Sequence, residues 1–193
     1  DPHLLVRALA EHGVTRLWLV PSLLRVLLDT FPDLQRRLPA LRMWVTTGEA
    51  IDADLYRRFR RAMPHSRLYN QYGASEASNS IWYAPPSTDQ DLARVPIGRP
   101  IANTKIYILD HHLQPVPVGV VGELCVGGVG LARGYANRPD LSAEKFVDVD
   151  LDQTIQNPKS KIANRLYKTG DLARYLPDGT IEYLGRSDTQ IKL

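Results

Sequence analysis

Helical and strand patterns alternate along the first 94 residues, and this alternation constrains the fold more than any other feature of the chain. Two apolar stripes have helical spacing: Leu4, Leu5, Ala8 and Leu9, then Leu23, Leu24, Leu27 and Leu28. Short apolar runs, "RLWLV", "LRMWVTTG" and "SRLYN", follow helical segments. Strands that alternate with helices form a mainly parallel sheet covered by helices, so this half predicts an α/β fold.

The pattern changes near Pro96, where strand-like runs separated by Gly and Pro replace the helices. The runs are "NTKIYILD", "VGELCVGG" and "LARYLPDGTIEYLG", and "PDG" inside the last is a hairpin signal. We therefore predict a partial parallel sheet with covering helices over residues 1–95, followed by a small β-barrel-like antiparallel region over residues 96–187. One short helix, "RPDLSAEKF", interrupts this region, and "DLDQTIQNPKSKIAN" is predicted to be a surface loop.

The composition excludes several classes of function. The formal net charge is only +3, and the paired arginines at 57–58 and 60–61 are typical of a solvated helix face rather than a nucleic-acid surface. Cys125 is the only cysteine, which excludes an intramolecular disulfide and indicates a reducing compartment. No apolar run approaches the roughly 18 residues that span a bilayer. We expect a soluble, cytoplasmic protein that binds neither nucleic acid nor membrane.

A lone carboxylate, Glu76, stands in the polar stretch "RLYNQYGASEASNS". An exposed turn is the simple interpretation, because Asn, Gly and Ser are common turn formers. The alternative is a ligand site, because "TTGEA" and "NQYGASEAS" both follow strands, and the carboxyl ends of parallel strands meet at one edge of a sheet. Glu76 has the hard oxygens that suit Mg²⁺ bridging phosphates. Tyr72, beside Gly73, offers a flat face to a purine.

Asp171, in "YKTGDLARY", is a second candidate. A carboxylate can accept two hydrogen bonds at once, which suits the paired hydroxyls of a ribose, although an Asp after Gly is also common in simple turns. If Tyr72, Glu76 and Asp171 converge on one purine nucleotide, the chain has a nucleotide site built from both halves.

Two other motifs predict turns. The glycines of "VGGVGLARGY" miss the dinucleotide-binding spacing by one residue, and no helix follows that could face a phosphate. His111 and His112 lie beside Asp110, whereas a metal site needs ligands that converge in space.

Four motifs in order, "NQYGASEAS", "GELCVGGVGLARGY", "YKTGDLARYLPDG" and "GRSDTQIKL", resemble the adenylate-forming enzymes, and most closely the adenylation domains of nonribosomal peptide synthetases. By this resemblance, the first half is similar to the later part of the large N-terminal domain, and the β-rich half to its small barrel. The resemblance implies attack of an amino-acid carboxylate on the α-phosphate of ATP, giving an aminoacyl adenylate and pyrophosphate. A carrier phosphopantetheine would then receive the aminoacyl group, typically in antibiotic biosynthesis.

The resemblance implies a role for each matching residue. Residues 48–50 match the backbone that lies against adenine, Asn70 the residue bonding its amino group, and Tyr72 and Tyr183 the aromatic pair around the ring. The implied ATP-binding set is Gly48, Glu49, Ala50, Asn70, Tyr72, Gly73, Ser75, Asp171, Tyr183 and Arg186.

Further implied roles concern catalysis and the substrate. Ser75 stands where the family usually has a Thr facing the phosphates, Glu76 matches the Mg²⁺ ligand, and Asp171 and Arg186 match the ribose contacts. The implied catalytic residues are Ser75, Glu76 and Lys192. The implied pocket for the substrate side chain comprises Trp18, Val45, Thr47, Gln71, Asn79 and Ser80.

Departures from the family pattern indicate a central fragment. The upstream phosphate loop with its Lys, the acidic residue that holds the substrate amino group, and the C-terminal domain beyond a hinge at Asp188 are absent from these 193 residues. We therefore expect the rest of the adenylation domain and a carrier domain as partners, with residues 188–193 forming the hinge. In isolation, we expect little or no adenylation activity and a tendency to associate, because sheet edges would be exposed.

Three alternatives stay open from the sequence. An acyl-CoA synthetase or fatty acyl-AMP ligase would share the nucleotide motifs. A nucleotide-binding or scaffolding piece would bind without turnover. An unrelated α/β protein would carry Tyr72, Glu76 and Asp171 as ordinary surface residues.

Overall fold

The structure is a computed structural model that describes residues 1–84, 94–149 and 164–187. The described residues fall into two compact units. The first unit contains Asp1–Tyr72 and the described part of Trp82–Gly98, and the second contains Gly73–Ile81 and the described residues from Arg99 onward. The loop predicted at 150–164 lies almost entirely outside the described residues, as do Asp188 and Lys192.

The first unit alternates helices and strands, as the sequence predicts. Its elements are α1 (Pro2–Glu11), β1 (Arg16–Leu19), α2 (Pro21–Thr30), α3 (Leu34–Arg37), β2 (Met43–Thr46), α4 (Ala53–Ala62) and β3 (Arg67–Ala74), followed by the end of β4 (Ser78–Tyr83). Strands β1, β2 and β3 pair in parallel, with Leu17 opposite Trp44 and Trp44 opposite Leu68. The last two residues of β3 and the first four of β4 belong to the second unit.

One face of this parallel sheet packs against the helices. Trp44 and Leu68 join the leucines of α2 and the apolar side of α4 in a single buried cluster. The Trp44 and Phe59 rings meet edge to face with 5.6 Å between their centroids. Burial of this apolar surface holds the sheet and helices together. Asp52 caps α4, because its side chain accepts a hydrogen bond from the Leu55 N–H at 2.7 Å.

Helix α1 differs from the prediction in the face that it buries. Leu4 and Ala8 are exposed, whereas Val6 and Leu9 are buried and Leu5 is half-buried. The predicted stripe was therefore rotated by part of a turn, because a ten-residue helix rich in apolar residues fits more than one stripe at helical spacing.

The second unit is a curled antiparallel sheet, which confirms the barrel-like prediction. Its elements from Arg99 onward are β5 (Arg99–Pro100), β6 (Thr104–Leu109), β7 (Gly122–Gly128), α5 (Pro139–Lys145), β8 (Phe146–Val149), β9 (Asn164–Tyr175) and β10 (Ile181–Arg186). The strand order is β10-β9-β7-β6, and β8 also pairs with β9. The long strand β9 therefore pairs with three other strands, β7, β8 and β10, and is the central strand of this sheet. Cys125 and Leu166 lie in its buried core.

The predicted β9–β10 hairpin closes through the "PDG" turn. The Gly179 N–H donates to the Leu176 carbonyl, and the Leu176 N–H donates to the Thr180 carbonyl, both at 2.8 Å. Gly179 has φ of +78°, a conformation that glycine adopts without strain. In the described part of the chain, no helix combines the length and apolar character needed to cross a membrane.

Candidate functional site

In the first unit, four residues predicted to bind the substrate side chain lie on one face of the parallel sheet. Trp18 is opposite Val45, and Val45 is opposite Tyr69. Because successive side chains of a strand point to opposite faces, Thr47 and Gln71, two positions further along, share this face. The opposite face carries the helix-packed core. Tyr69 was not predicted, although its alternation with Gln71 was a signal in the sequence.

A hydrogen bond crosses this face from β1 to β3. The Trp18 Nε1–H donates to Gln71 Oε1 at 3.2 Å. The Trp18 side chain is 49% exposed, so its indole forms an accessible wall rather than part of the core. The Tyr69 ring lies 5.1 Å from the Trp82 ring, measured between centroids. The face therefore combines aromatic surface with a fixed amide, which suits a small substrate group of mixed polarity.

The backbone of residues 48–50 follows the carboxyl end of β2 and is exposed. Gly48 has φ of +84°, which allows the chain to turn sharply there. The Glu49 carboxylate accepts hydrogen bonds from the Ser22 N–H at 3.0 Å and from the Ser22 hydroxyl at 2.9 Å. Ser22 lies in the first turn of α2, where backbone N–H groups lack partners within the helix. The Glu49 side chain thus anchors the loop and leaves its backbone open.

Two further residues assigned to adenine lie on β3. Asn70 is buried, and its Nδ2–H donates to the Pro96 carbonyl at 3.0 Å. Tyr72 is only 7% exposed, so a stacking role would use the small accessible part of its ring. The predicted strand "SRLYN" ended at Asn70, whereas β3 continues to Ala74, so Gln71 and Gly73 are strand residues as well.

In the second unit, Glu76 lies in the turn between β3 and β4, in agreement with the turn formers around it. The Ala77 N–H donates to the Ala74 carbonyl at 3.0 Å and closes the turn. Ser75 is exposed at its tip, whereas Glu76 is half-buried. The hydroxyl of Tyr135 donates to Glu76 Oε1 at 2.7 Å. The carboxylate is therefore held by a residue 59 positions away in the chain.

A second tyrosine stands beside this contact. The hydroxyl oxygens of Tyr135 and Tyr167 are 3.5 Å apart. Burial raises the pKa of both phenols, and the neighbouring Glu76 charge raises each pKa further. Both phenols therefore keep their protons at neutral pH and can act as hydrogen-bond donors. Neither tyrosine was predicted as a site residue, although Tyr135 ends the glycine-rich motif that was interpreted only as turns.

Asp171 and Arg186 meet across β9 and β10. Arg186 Nη1 lies 3.2 Å from Asp171 Oδ1, and Asp171 is only 3% exposed. The register shifts by one residue between Tyr183 and Gly185, and this bulge sets Arg186, rather than Gly185, opposite Asp171. Asp171 is thus a strand residue with a paired charge and not part of a simple turn.

The remaining predicted residues are distributed as follows. Ser80 is fully buried, and its hydroxyl lies 2.9 Å from the Ala77 carbonyl, within hydrogen-bonding distance. Tyr183 is half-buried on β10 opposite Ala173. Asn79 is a residue of β4 whose side chain lies outside the described part of the structure. Lys192, which the resemblance implies is catalytic, and Asp188, predicted to lie at a hinge, are also outside it.

The donor set fits a magnesium ion only together with a nucleotide. Among the residues that the structure describes, no three His, Cys, Asp or Glu side chains group closely enough to hold a metal by themselves. Mg²⁺ bound with substrate phosphates commonly uses only one or two protein carboxylates and several waters. A single oriented carboxylate such as Glu76 meets that requirement.

Comparison with known sequences identifies related proteins. The model of the AMP-binding enzyme family matches residues 1–136. Bacitracin synthase 3 of Bacillus licheniformis is 44% identical over 193 aligned residues, which cover all of this chain and 3% of that protein. Tyrocidine synthase 1 of Brevibacillus parabrevis is 46% identical over 187 residues, covering 96% of this chain and 15% of that protein. The chain thus spans a small part of the length of these curated relatives.

Comparison with solved structures gives the same result. A structure described as an NRPS protein containing adenylation and PCP domains superposes with a TM-score of 0.86 at 33% identity, covering 100% of this chain and 37% of that one. The AMPPNP-bound form of another nonribosomal peptide synthetase has a TM-score of 0.82 at 35% identity, covering 97% of this chain and 19% of that one. The sequence comparison and the structural comparison therefore identify the same kind of protein over essentially the whole chain.

Proposed function

Because this chain belongs to the AMP-binding enzyme family and is an adenylation-domain sequence of the nonribosomal peptide synthetase type, we propose that it carries part of an amino-acid-activating site. The proposed reaction joins an amino-acid carboxylate to the α-phosphate of ATP and releases pyrophosphate. The aminoacyl group then passes from the adenylate to the phosphopantetheine thiol of a carrier domain, and AMP leaves. The rest of the adenylation domain would supply the groups that this chain lacks.

The chemistry requires two anions to approach each other, so their charge must be neutralised in the transition state. Bound Mg²⁺ would supply Lewis-acid charge to the phosphates. The Glu76 carboxylate is the proposed protein ligand for that ion, and the exposed Ser75 hydroxyl is the proposed phosphate contact at the same turn. Lys192 is proposed to act in catalysis beside the hinge at Asp188.

The nucleoside contacts follow from donor and acceptor chemistry. The Asp171 carboxylate is proposed to accept from the ribose hydroxyls, with the Arg186 guanidinium holding it in orientation. The purine amino group is a donor and needs an acceptor. The Asn70 amide can provide that acceptor through Oδ1, since its Nδ2–H donates to the Pro96 carbonyl. The backbone of residues 48–50 is proposed to line the adenine, with Tyr72, Gly73 and Tyr183 around the ring.

The substrate side chain is proposed to bind against the sheet face of Trp18, Val45, Thr47 and Gln71, with Asn79 and Ser80 assigned to the same pocket. The Trp18 indole limits its length, and the polar Thr47 and Gln71 favour a small or polar group. Residues 1–95 and 96–187 are proposed to be two subdomains of one adenylation domain, followed by the hinge at 188–193. A cytoplasmic location is proposed on the same family grounds.

The observation that supports this function most directly is the common face of Trp18, Val45, Thr47 and Gln71 at the carboxyl end of parallel strands. Ligands of open α/β sheets bind at that end. The strand register, which is independent of the family resemblance, sets these four residues on one face of the sheet and so supports the proposed pocket.

Pyrophosphate exchange tests the proposal. The complete reading frame that encodes this chain is assayed with each proteinogenic amino acid and with a series of fatty acids, in parallel with Glu76→Gln. We expect exchange with one or a few amino acids of small or polar side chain and a large loss in the variant. Exchange with fatty acids alone would establish an acyl-activating enzyme instead. Nucleotide binding without exchange for any acid would establish the binding-only alternative.

A further inference from the structure

The glycine-rich segment that ends at Tyr135 contacts the turn that carries Glu76. We propose that Tyr135 is a positioning residue, whose hydroxyl holds the Glu76 carboxylate in one orientation before the metal and nucleotide bind. The segment "GGVGLARGY" thereby supports the metal ligand instead of forming a phosphate loop. This inference rests on the proposed function in one respect, since it takes Glu76 as the magnesium ligand.

Backbone contacts fix the segment against the turn. The Ala132 N–H donates to the Glu76 carbonyl at 2.7 Å. A Cβ at Gly130 would lie 3.4 Å from the Ala77 carbonyl oxygen, so the two stretches of backbone are close there. On the other side, the Arg165 guanidinium donates to the carbonyls of Ala132 at 2.9 Å and Arg133 at 2.7 Å. The segment is therefore tied both to the Glu76 turn and to strand β9.

Tyr135 is itself held in place at two points. Its N–H donates to the hydroxyl of Ser142, in the middle of α5, at 2.8 Å. Its ring meets Phe146 edge to face, with centroids 5.8 Å apart, and Phe146 also packs on Tyr167 at 5.1 Å. The Arg165 guanidinium carbon lies 4.7 Å from the Phe146 ring centroid. The phenol therefore reaches Glu76 from an ordered aromatic cluster and not from a loose surface side chain.

Gly134 permits this arrangement. Its φ is +149°, and an added Cβ would lie 2.8 Å from the Ser142 oxygen that receives the Tyr135 N–H. Any larger residue would displace the anchor of Tyr135. The glycine next to the tyrosine in "RGY" thus has a steric role in the cluster rather than a role in phosphate binding.

The hydrogen bond matters because Glu76 lies on a turn, where a long side chain otherwise samples several rotamers. Ordering that side chain in advance lowers the entropy lost when a cation binds. An ionised carboxylate has about four lone-pair sites, so the phenol donor leaves capacity for a metal. Residues that orient metal ligands typically change metal affinity or activity by 10–100-fold when removed.

The test compares Tyr135→Phe with Tyr175→Phe in the complete reading frame. Each change removes one hydroxyl, and the Tyr175 hydroxyl donates to the Ile106 carbonyl at 2.9 Å, in the same unit but away from Glu76. The affinity for AMPPNP is measured by calorimetry with Mg²⁺ and with EDTA. We expect Tyr135→Phe to lower the Mg²⁺-dependent gain in affinity by about tenfold. The affinity in EDTA and the behaviour of Tyr175→Phe should match the unmodified protein.

A third variant, Glu76→Gln, separates the two proposals. If Glu76→Gln loses the Mg²⁺-dependent gain while Tyr135→Phe keeps it, the positioning role is wrong and the metal assignment stands. If both variants keep the gain, the metal assignment of Glu76 fails and the inference fails with it. A loss that also appears in EDTA would indicate a structural role for Tyr135 and would likewise overturn the proposal. Because each comparison is made within one variant, a lower overall stability does not obscure the result.

Discussion

The Glu49 carboxylate accepts two hydrogen bonds from one residue, Ser22, through its backbone N–H at 3.0 Å and its hydroxyl at 2.9 Å. Val20, at the N-cap of α2, makes no side-chain cap hydrogen bond. A carboxylate from the neighbouring β2–α4 loop therefore performs the capping that the helix lacks in its own sequence. It also complements the positive end of the helix dipole.

Replacing Glu49 by Ala should destabilise the protein by about 1 kcal/mol, the usual cost of losing a helix cap. Glu49→Gln should cost less, because an amide oxygen can still accept from Ser22. Urea unfolding followed by tryptophan fluorescence measures both. Glu11→Ala is the control, since Glu11 is exposed and its ion pair with Arg7 is screened by solvent. Equal stability of the Glu49 and Glu11 variants would contradict the capping role.

Arg186→Leu should cost about 3 kcal/mol of unfolding free energy, because it removes the guanidinium from a carboxylate that is 3% exposed. Arg138→Leu provides the matched comparison, since Arg138 pairs at 3.0 Å with an Asp140 that is largely exposed. We expect a much smaller effect there, because solvent screens exposed pairs. The two variants are compared by urea unfolding, and similar losses would show that burial does not strengthen the Asp171 pair.

Local pattern predicted most of the fold. The strands were predictable because short apolar runs such as "LRMWVTTG", which contains the buried strand β2, alternate with helices. The β9–β10 hairpin was predictable because "PDG" favours a turn. The face of α1 was predicted wrongly, because Leu4 and Ala8 fit the helical period as well as Val6 does. A local apolar period therefore predicts whether a segment is a helix or a strand more reliably than it predicts which face of a helix is buried.

Contacts between distant residues could not be predicted in the same way. Trp18 and Gln71 are 53 positions apart, and Tyr135 and Glu76 are 59 apart. The first contact depends on the parallel register of three strands. The second depends on how a glycine-rich segment folds back on a hairpin. Neither arrangement has a local sequence period. The family resemblance alone assigned Trp18 and Gln71 to one pocket, and the contact of Tyr135 with Glu76 emerged only from the structure.

Trp18→Phe should change substrate selection without changing nucleotide affinity. Phenylalanine keeps an aromatic wall but lacks the N–H that donates to Gln71. The released amide and the added space should raise the KM for the preferred amino acid several-fold and admit longer side chains. Pyrophosphate exchange with an amino-acid panel measures this, with Val26→Ala on the exposed face of α2 as the control. An unchanged ranking of amino acids, or an equal rise in the KM for ATP, would count against the assigned pocket.

Stability above pH 9 should depend on Cys125. Burial, with a smaller contribution from the Glu123 charge, raises the pKa of this thiol from 9.0 to about 12. The unfolded thiol therefore loses its proton from about pH 9 upward while the folded thiol keeps it. The neutral thiol contributes fully to the free energy of unfolding below pH 9. This contribution is lost as the pH rises towards 12, by up to about 1.4 kcal/mol per pH unit.

Cys125→Ala isolates this contribution, because the other titrating groups are common to both proteins. Urea unfolding at pH 8 and at pH 10.5 should show a steeper loss of stability in the unmodified protein than in the variant. Iodoacetamide at pH 8 should label the native thiol slowly and the unfolded thiol rapidly, as measured by intact mass. Parallel pH profiles for the two proteins, or rapid labelling of the native one, would mean that solvent reaches the sulfur and that Cys125 is not part of a sealed core.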